Sequence, residues 1–213
     1  MAKKTLFFVK IIIIICTFPL LMGNERCQIQ DQLLDMLDQK IKPPRGQSGI
    51  YISHLSFMDP STGSSLFQTD AGKLINNAVI NGINQAQKTN PSFHHNAPGH
   101  TLEDTDANVN KLVQISLHPT LNKGDKINRI ISEIMDPANI DVVVTGQYFE
   151  KGDIVDVRPL IIVKKDQKIV TKMTQFKKSE FLCADPVNPS TQALCQGAHD
   201  EISRLVTELL EQL

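Results

Sequence analysis

His94, His95 and His100, followed by Glu103, Asp104 and Asp106, form the densest set of metal-ligand side chains in this sequence. Imidazoles and carboxylates together suit zinc, copper or nickel. A site nevertheless needs three or four donors held in one geometry, with outer partners that orient them. The intervening Pro98, Gly99 and asparagines offer no regular element to do this, and adjacent histidines on an extended chain point to opposite sides. His54 and His118 do not obviously join the set. A solvated polar loop is the favoured reading, with no metal ligand assigned, because such tracts are compositional signals only. A metal-binding module using His94, His95 and His100 is the alternative.

Other chemistries find less support. No G-x-S-x-G elbow is present, and Asp59-Pro-Ser-Thr-Gly-Ser-Ser lacks the Gly-Lys-Ser/Thr ending of a phosphate-binding loop. Asp104 and Asp106 are a carboxylate pair of a kind common by chance, better read as part of a polar turn. The sequence therefore assigns no catalytic residue, no cofactor-binding residue and no cofactor, and an enzyme is not expected.

The elements that would position these residues emerge from periodicity. Gln28 to Ile41 carries Ile29, Leu33, Leu34, Leu37 and Ile41 on one helical face, ended by Pro43-Pro44. Ile50 to Phe57 alternates as a strand, with Ile50 and Ile52 on one face, Tyr51, Leu55 and Phe57 near the other, and a slip in register near His54. Ser64 or Ser65 is a candidate cap for a long helix from Leu66 to about Lys88. Asn90 to about Asn110 loses all pattern and reads as an irregular insert. Lys111 to Leu117 reads as a strand or a helical turn. Asp125 to Met135 is helical and Asp136-Pro137 stops it.

The clearest β signal is Ile140 to Phe149, which turns at Glu150-Lys-Gly-Asp153 into Ile154 to Val163 and again into Lys168 to Thr174. This predicts a three-stranded antiparallel meander, with Pro159 at a bulge or with its nitrogen facing away from the neighbouring strand. Ile202, Leu205, Val206, Leu209 and Leu213 give a closing amphipathic helix from about Gly197 to the end.

At the amino terminus, Met1-Ala-Lys-Lys, an apolar run from Ile11 to Met22 and the small Gly23 have the layout of a secretory signal peptide over residues 1–23. The run is about 12 residues, against about 20 for a spanning helix, so cleavage is favoured over a retained anchor. Export places the remaining cysteines in an oxidising compartment. Cys183 and Cys195 flank a polar loop of eleven residues that fits neither C-x-x-C nor a zinc knuckle, which makes a structural disulfide the expected reading. Cys27 is left as a free thiol, an intermolecular link or a third candidate for the bridge.

The charge balance of 22 basic against 23 acidic residues excludes an electrostatic footprint for nucleic acid. With no Trp and two Tyr there is no aromatic platform for bases or sugars either. Binding of a protein partner or a wall component remains open, and with the leader an envelope protein is the expected partner, with no small-molecule cofactor.

A strand, a long helix, an irregular region, a helix ending in Asp-Pro-Ala-Asn-Ile-Asp, then Val-Val-Val-Thr-Gly-Gln-Tyr and a meander with Val-Asp-Val-Arg-Pro make an order that resembles a group of bacterial envelope proteins. The group comprises the amino-terminal domain of TolB, the curli secretion lipoprotein, flagellar outer-membrane accessory proteins and lipoprotein activators of penicillin-binding proteins. Ala138, Val142, Val143, Val144 and Gly146 match their helix-to-strand motif, and Gly152, Val155 and Val157 match the next strand. The resemblance runs from about Gly49 to Lys172. It implies an α/β sandwich, with a mixed sheet and helices mainly on one face. With the periodicity above, the expected organisation is a single domain over residues 49–213 behind a helix and linker at 24–48. The resemblance also implies a non-catalytic periplasmic or outer-membrane accessory in assembly, secretion, flagellar or wall-synthesis machinery. No lipobox precedes Cys16 or Cys27, a departure from the lipoprotein members.

Overall fold

The computed structural model describes residues 49–185 and 191–213. The expected signal peptide, the helix over Gln28 to Ile41 and Cys27 lie outside the described residues. Contacts divide the chain into two units at Arg45/Gly46, and every described residue belongs to the second, Gly46–Leu213.

The core is a mixed sheet. β1 (Ile50–His54) lies parallel to β4 (Phe93–His95) on one side and to β5 (Val142–Lys151) on the other. β5 turns through Gly152, at φ +62°, into the antiparallel β6 (Ile154–Val163), and β6 pairs with β7 (Lys168–Thr171) and β8 (Thr174–Lys177). The expected meander is present. Leu160 faces Thr171 and Val157 faces Thr174, so the register passes Arg158-Pro159 unshifted. Pro159 interrupts this ladder because it has no N–H to donate, and no residue is inserted into a bulge.

At its carboxyl end β1 does not run on to Phe57 as one strand. The chain kinks over Leu55-Ser56-Phe57 and resumes as β2 (Met58–Asp59), which forms a hairpin with β3 (Ser64–Ser65) and touches β5 at Gln147. The kink changes the facing expected for Phe57. It packs in the cluster of Ile52, whereas Leu55 and Met58 pack in the opposite cluster. Ser64 and Ser65 are strand residues and not helix caps. Thr69 instead caps α1 (Asp70–Thr89), its Oγ1 accepting from the Gly72 N–H at 3.0 Å.

Both faces of the sheet carry helices. α1 and the closing α5 (Gln196–Leu210), the two longest described, share one face over Ile52, Val142, Val144, Val157 and Ile161. They approach so closely that a Cβ on Gly82 would stand 2.5 Å from the Ser203 carbonyl oxygen. The Ser203 and Thr207 hydroxyls donate to the Ala78 and Gly82 carbonyls across this contact. The other face is covered at one end by α2 (Asp106–Ser116) and by α3 (Lys123–Ile130) with its π-helical continuation Ile131–Met135. Lys111 to Ser116 is thus helical with Leu117 as its cap, and the stretch expected to be irregular holds β4 and the start of α2. A three-residue strand without β-branched residues leaves no alternation to read, and pairing with β1 creates it.

Cys183 and Cys195 form a disulfide with Cα atoms 5.0 Å apart. It spans the hairpin of β9 (Leu182–Ala184) and β10 (Gln192–Leu194), which comes after the single-turn α4 (Lys178–Phe181). Cys195 is the residue before α5, and its N–H donates to the Phe181 carbonyl, so the bridge holds the start of the closing helix. Among the described residues no helix is long and apolar enough to cross a membrane.

Candidate functional site

β1 leads through α1 on one sheet face to β4, and β4 leads through α2 and α3 on the other face to β5 on the far side of β1. In such doubly wound sheets the carboxyl ends of the parallel strands are the natural place for a site. His54 ends β1 and His95 ends β4. Their rings approach with His54 Nδ1 3.1 Å from His95 Nε2, one nitrogen donating to the other. Burial pushes both imidazoles below their ordinary range, His95 to about 4, with the neighbouring His54 adding to the effect on His95. Asp104 pulls His54 the other way without overcoming burial. At neutral pH this is an uncharged pair.

Beside the pair a carboxylate holds the strand kink. Asp104 Oδ1 accepts from the Ser56 N–H at 2.8 Å and Oδ2 from the Ser56 hydroxyl at 2.7 Å. Asn76, from α1, donates to the same hydroxyl at 2.8 Å and to Asp104 Oδ2 at 2.9 Å. Ser56 is 1% exposed, and its hydroxyl meets no imidazole. The arrangement ties the β1–β2 kink to α1 and to the segment before α2, and offers no activated nucleophile. Asp106 stands apart, in the first turn of α2, bonded to Asn110.

His94 and His100 lie on the opposite side of β4. The His100 ring stacks on Tyr51 with centroids 3.6 Å apart and planes 7° from parallel, and the His94 ring lies 5.5 Å from Tyr51. His100 Nδ1 donates to the Asn139 carbonyl at 2.6 Å, while its buried Nε2 has no partner among the described residues. Asp141 Oδ2 accepts from the Tyr51 N–H at 2.9 Å, locking β1 to the start of β5. Gly49 makes room for His94, since a Cβ there would lie 2.2 Å from the His94 ring.

The proposed metal triad therefore does not assemble. His94 and His95 point to opposite faces, as successive strand residues must, and His100 goes with His94 while His95 pairs with His54. Among the described residues no group of three or more His, Cys, Asp or Glu side chains is placed to hold a metal ion. His54, which sequence reasoning left out, is the partner that His95 finds. The only signal for it was the loss of alternation at that residue.

A second feature is an area of bare sheet. Val143, Ile162 and Ile169 lie beneath α2 and α3, but beyond Thr145 and Leu160 none of the described helices covers the same face. Strand alternation along β5, β6 and β8 places Phe149 and Lys151, Ile154 and Arg158, and Met173 and Lys177 there. Ile154 is 38% and Met173 51% exposed. The Arg158 guanidinium lies over the Phe149 ring at 5.9 Å and places Nη2 3.4 Å from Met173 Sδ.

In comparisons with protein-family models, with curated proteins and with solved structures, nothing matches this chain.

Proposed function

We propose that this is an exported, non-catalytic accessory protein of the cell envelope that works by binding another protein. The carrying observation is that its reactive side chains are engaged with one another inside the fold. Asp104 accepts from Ser56 and Asn76 donates to both, His54 and His95 form a neutral pair, and His100 is stacked on Tyr51 and hydrogen-bonded through Nδ1. The disulfide supports an oxidising compartment such as the periplasm or outer-membrane periphery, consistent with the leader-like amino terminus. The resemblance in element order supports a place in assembly, secretion, flagellar or wall-synthesis machinery.

The test is chemical crosslinking in intact producing cells, with identification of the attached protein. A specific envelope partner is expected. Recovery of none, together with turnover of a substrate by the purified mature chain, would overturn the reading.

A further inference from the structure

We infer that the bare sheet area, with Phe149, Ile154, Arg158 and Met173 at its centre and Lys151 and Lys177 at its rim, docks an acidic amphipathic segment of a protein partner. This rests on the accessory role proposed for the chain and names the chemistry of the partner it requires. Two of the large apolar side chains most exposed among the described residues, Ile154 and Met173, lie here, and clustered exposure of this kind marks interaction surfaces.

Charge identifies the occupant. Elsewhere on the strands and turns of this half of the sheet most lysines are paired: Lys164 with Asp136, Lys168 with Asp166, Lys172 with Glu208 and Lys178 with Glu150, while Lys165 stands exposed in the β6–β7 turn away from this face. Among the described residues no carboxylate forms an ion pair with Lys151, Arg158 or Lys177. Asp156 is the acidic residue between them, its Oδ1 buried and without a hydrogen-bond partner among the described residues. The area is thus apolar in the middle, net positive, and complementary to carboxylates flanking an apolar stripe.

Other occupants fit less well. A second copy of the same face would set like charges opposite each other, which is costly. Anionic lipid is usually met by clusters of about 4–8 basic residues, more than stand here. Addition of a strand at the β7–β8 edge is discouraged by Lys168, Lys172 and Lys177 along it, so the docked segment lies on the face and not at the edge.

The experiment places a photo-crosslinking residue at Met173 of the full chain in producing cells, with Gln114 on α2 as the control position. The expected result is an adduct at Met173 whose attached peptide is acid-rich and comes from a different polypeptide. Lys151→Glu with Lys177→Glu should cut its yield about fivefold or more, as loss of two complementary charges implies, with no change in the melting curve. An adduct to a second copy, an adduct to phospholipid, a yield unaffected by the double substitution, or no adduct would each overturn the inference. A partner captured only at Gln114 would remove this surface and leave the accessory role standing. Substrate turnover with no partner at either position would remove both.

Discussion

His54 Nδ1 and His95 Nε2 meet at 3.1 Å across two parallel strands, so the carboxyl ends of β1 and β4 are joined through uncharged rings. Such a bond requires at least one imidazole to lack its second proton, and burial disfavours the charged form of both.

The pair makes stability depend on pH in a defined direction. In the unfolded chain these histidines titrate near 6.5, whereas in the fold His95 is held to about 4. Between these values the unfolded chain binds more protons, so stability is full above about 6.5 and falls as pH drops toward 4. The loss is expected to be on the order of 2 kcal/mol, reduced from the full linkage value because the rings are partly exposed. Urea denaturation at pH 7 and pH 4.5 measures it. A His54→Gln, His95→Gln variant should lose less over the same range, and an equal loss would refute the assignment.

Gly146 is required by packing. A Cβ there would lie 2.2 Å from the Phe57 ring and 2.7 Å from the Arg158 carbonyl oxygen. Gly146→Ala should cost about 1–3 kcal/mol, the usual range for overpacking. Adding Phe57→Leu should recover part of that loss beyond simple additivity in a double-mutant cycle, because the ring is one of the two obstacles. Additive losses would show that the ring is not in contact.

Val143 and Val144 face opposite layers, and both layers are core. Val143 packs beneath α2 and α3, and Val144 beneath α1 and α5. Aspartate at either position buries an unpaired charge and should destabilise by more than about 4 kcal/mol. The half-buried Gln147 on the same strand is the control, where aspartate should be far milder. A native melting temperature for either valine variant would mean that its layer is not packed as described.

The Cys183–Cys195 bridge closes a loop with a sequence separation of 12, worth about 3 kcal/mol on the chain-entropy account. Reduction should therefore speed amide exchange first in β9, β10 and the opening turn of α5. Non-reducing peptide mapping of the mature protein should recover the 183–195 pair. A link from Cys27 to either cysteine, or free thiols at both positions, would contradict it.

Periodicity alone located α1, α5, the α3 region and the meander, because each repeats its apolar positions over enough residues to define a buried face. Cys183 and Cys195 were paired by compartment and spacing, both of which are local. β4 and the His54–His95 pair were not legible, since a three-residue strand has no period and its partner lies 41 positions away. Nor could the sequence rank Asp104 above Asp106. Their surroundings differ only once Ser56 and Asn76 are brought to the former.

The sequence by itself determined that the long periodic segments are helices and the β-branched runs are strands, and that they form a mixed α/β fold. Only the tertiary structure decided which face each element covers. The kink at Leu55-Ser56-Phe57 turns Phe57 to the side of Ile52, and α2 with α3 stops short of Arg158 and Met173. Local propensity acts through neighbours three or four positions away. The histidine pairing and the bare sheet area arise from contacts between strands distant in sequence, whose register is fixed only when both faces are packed.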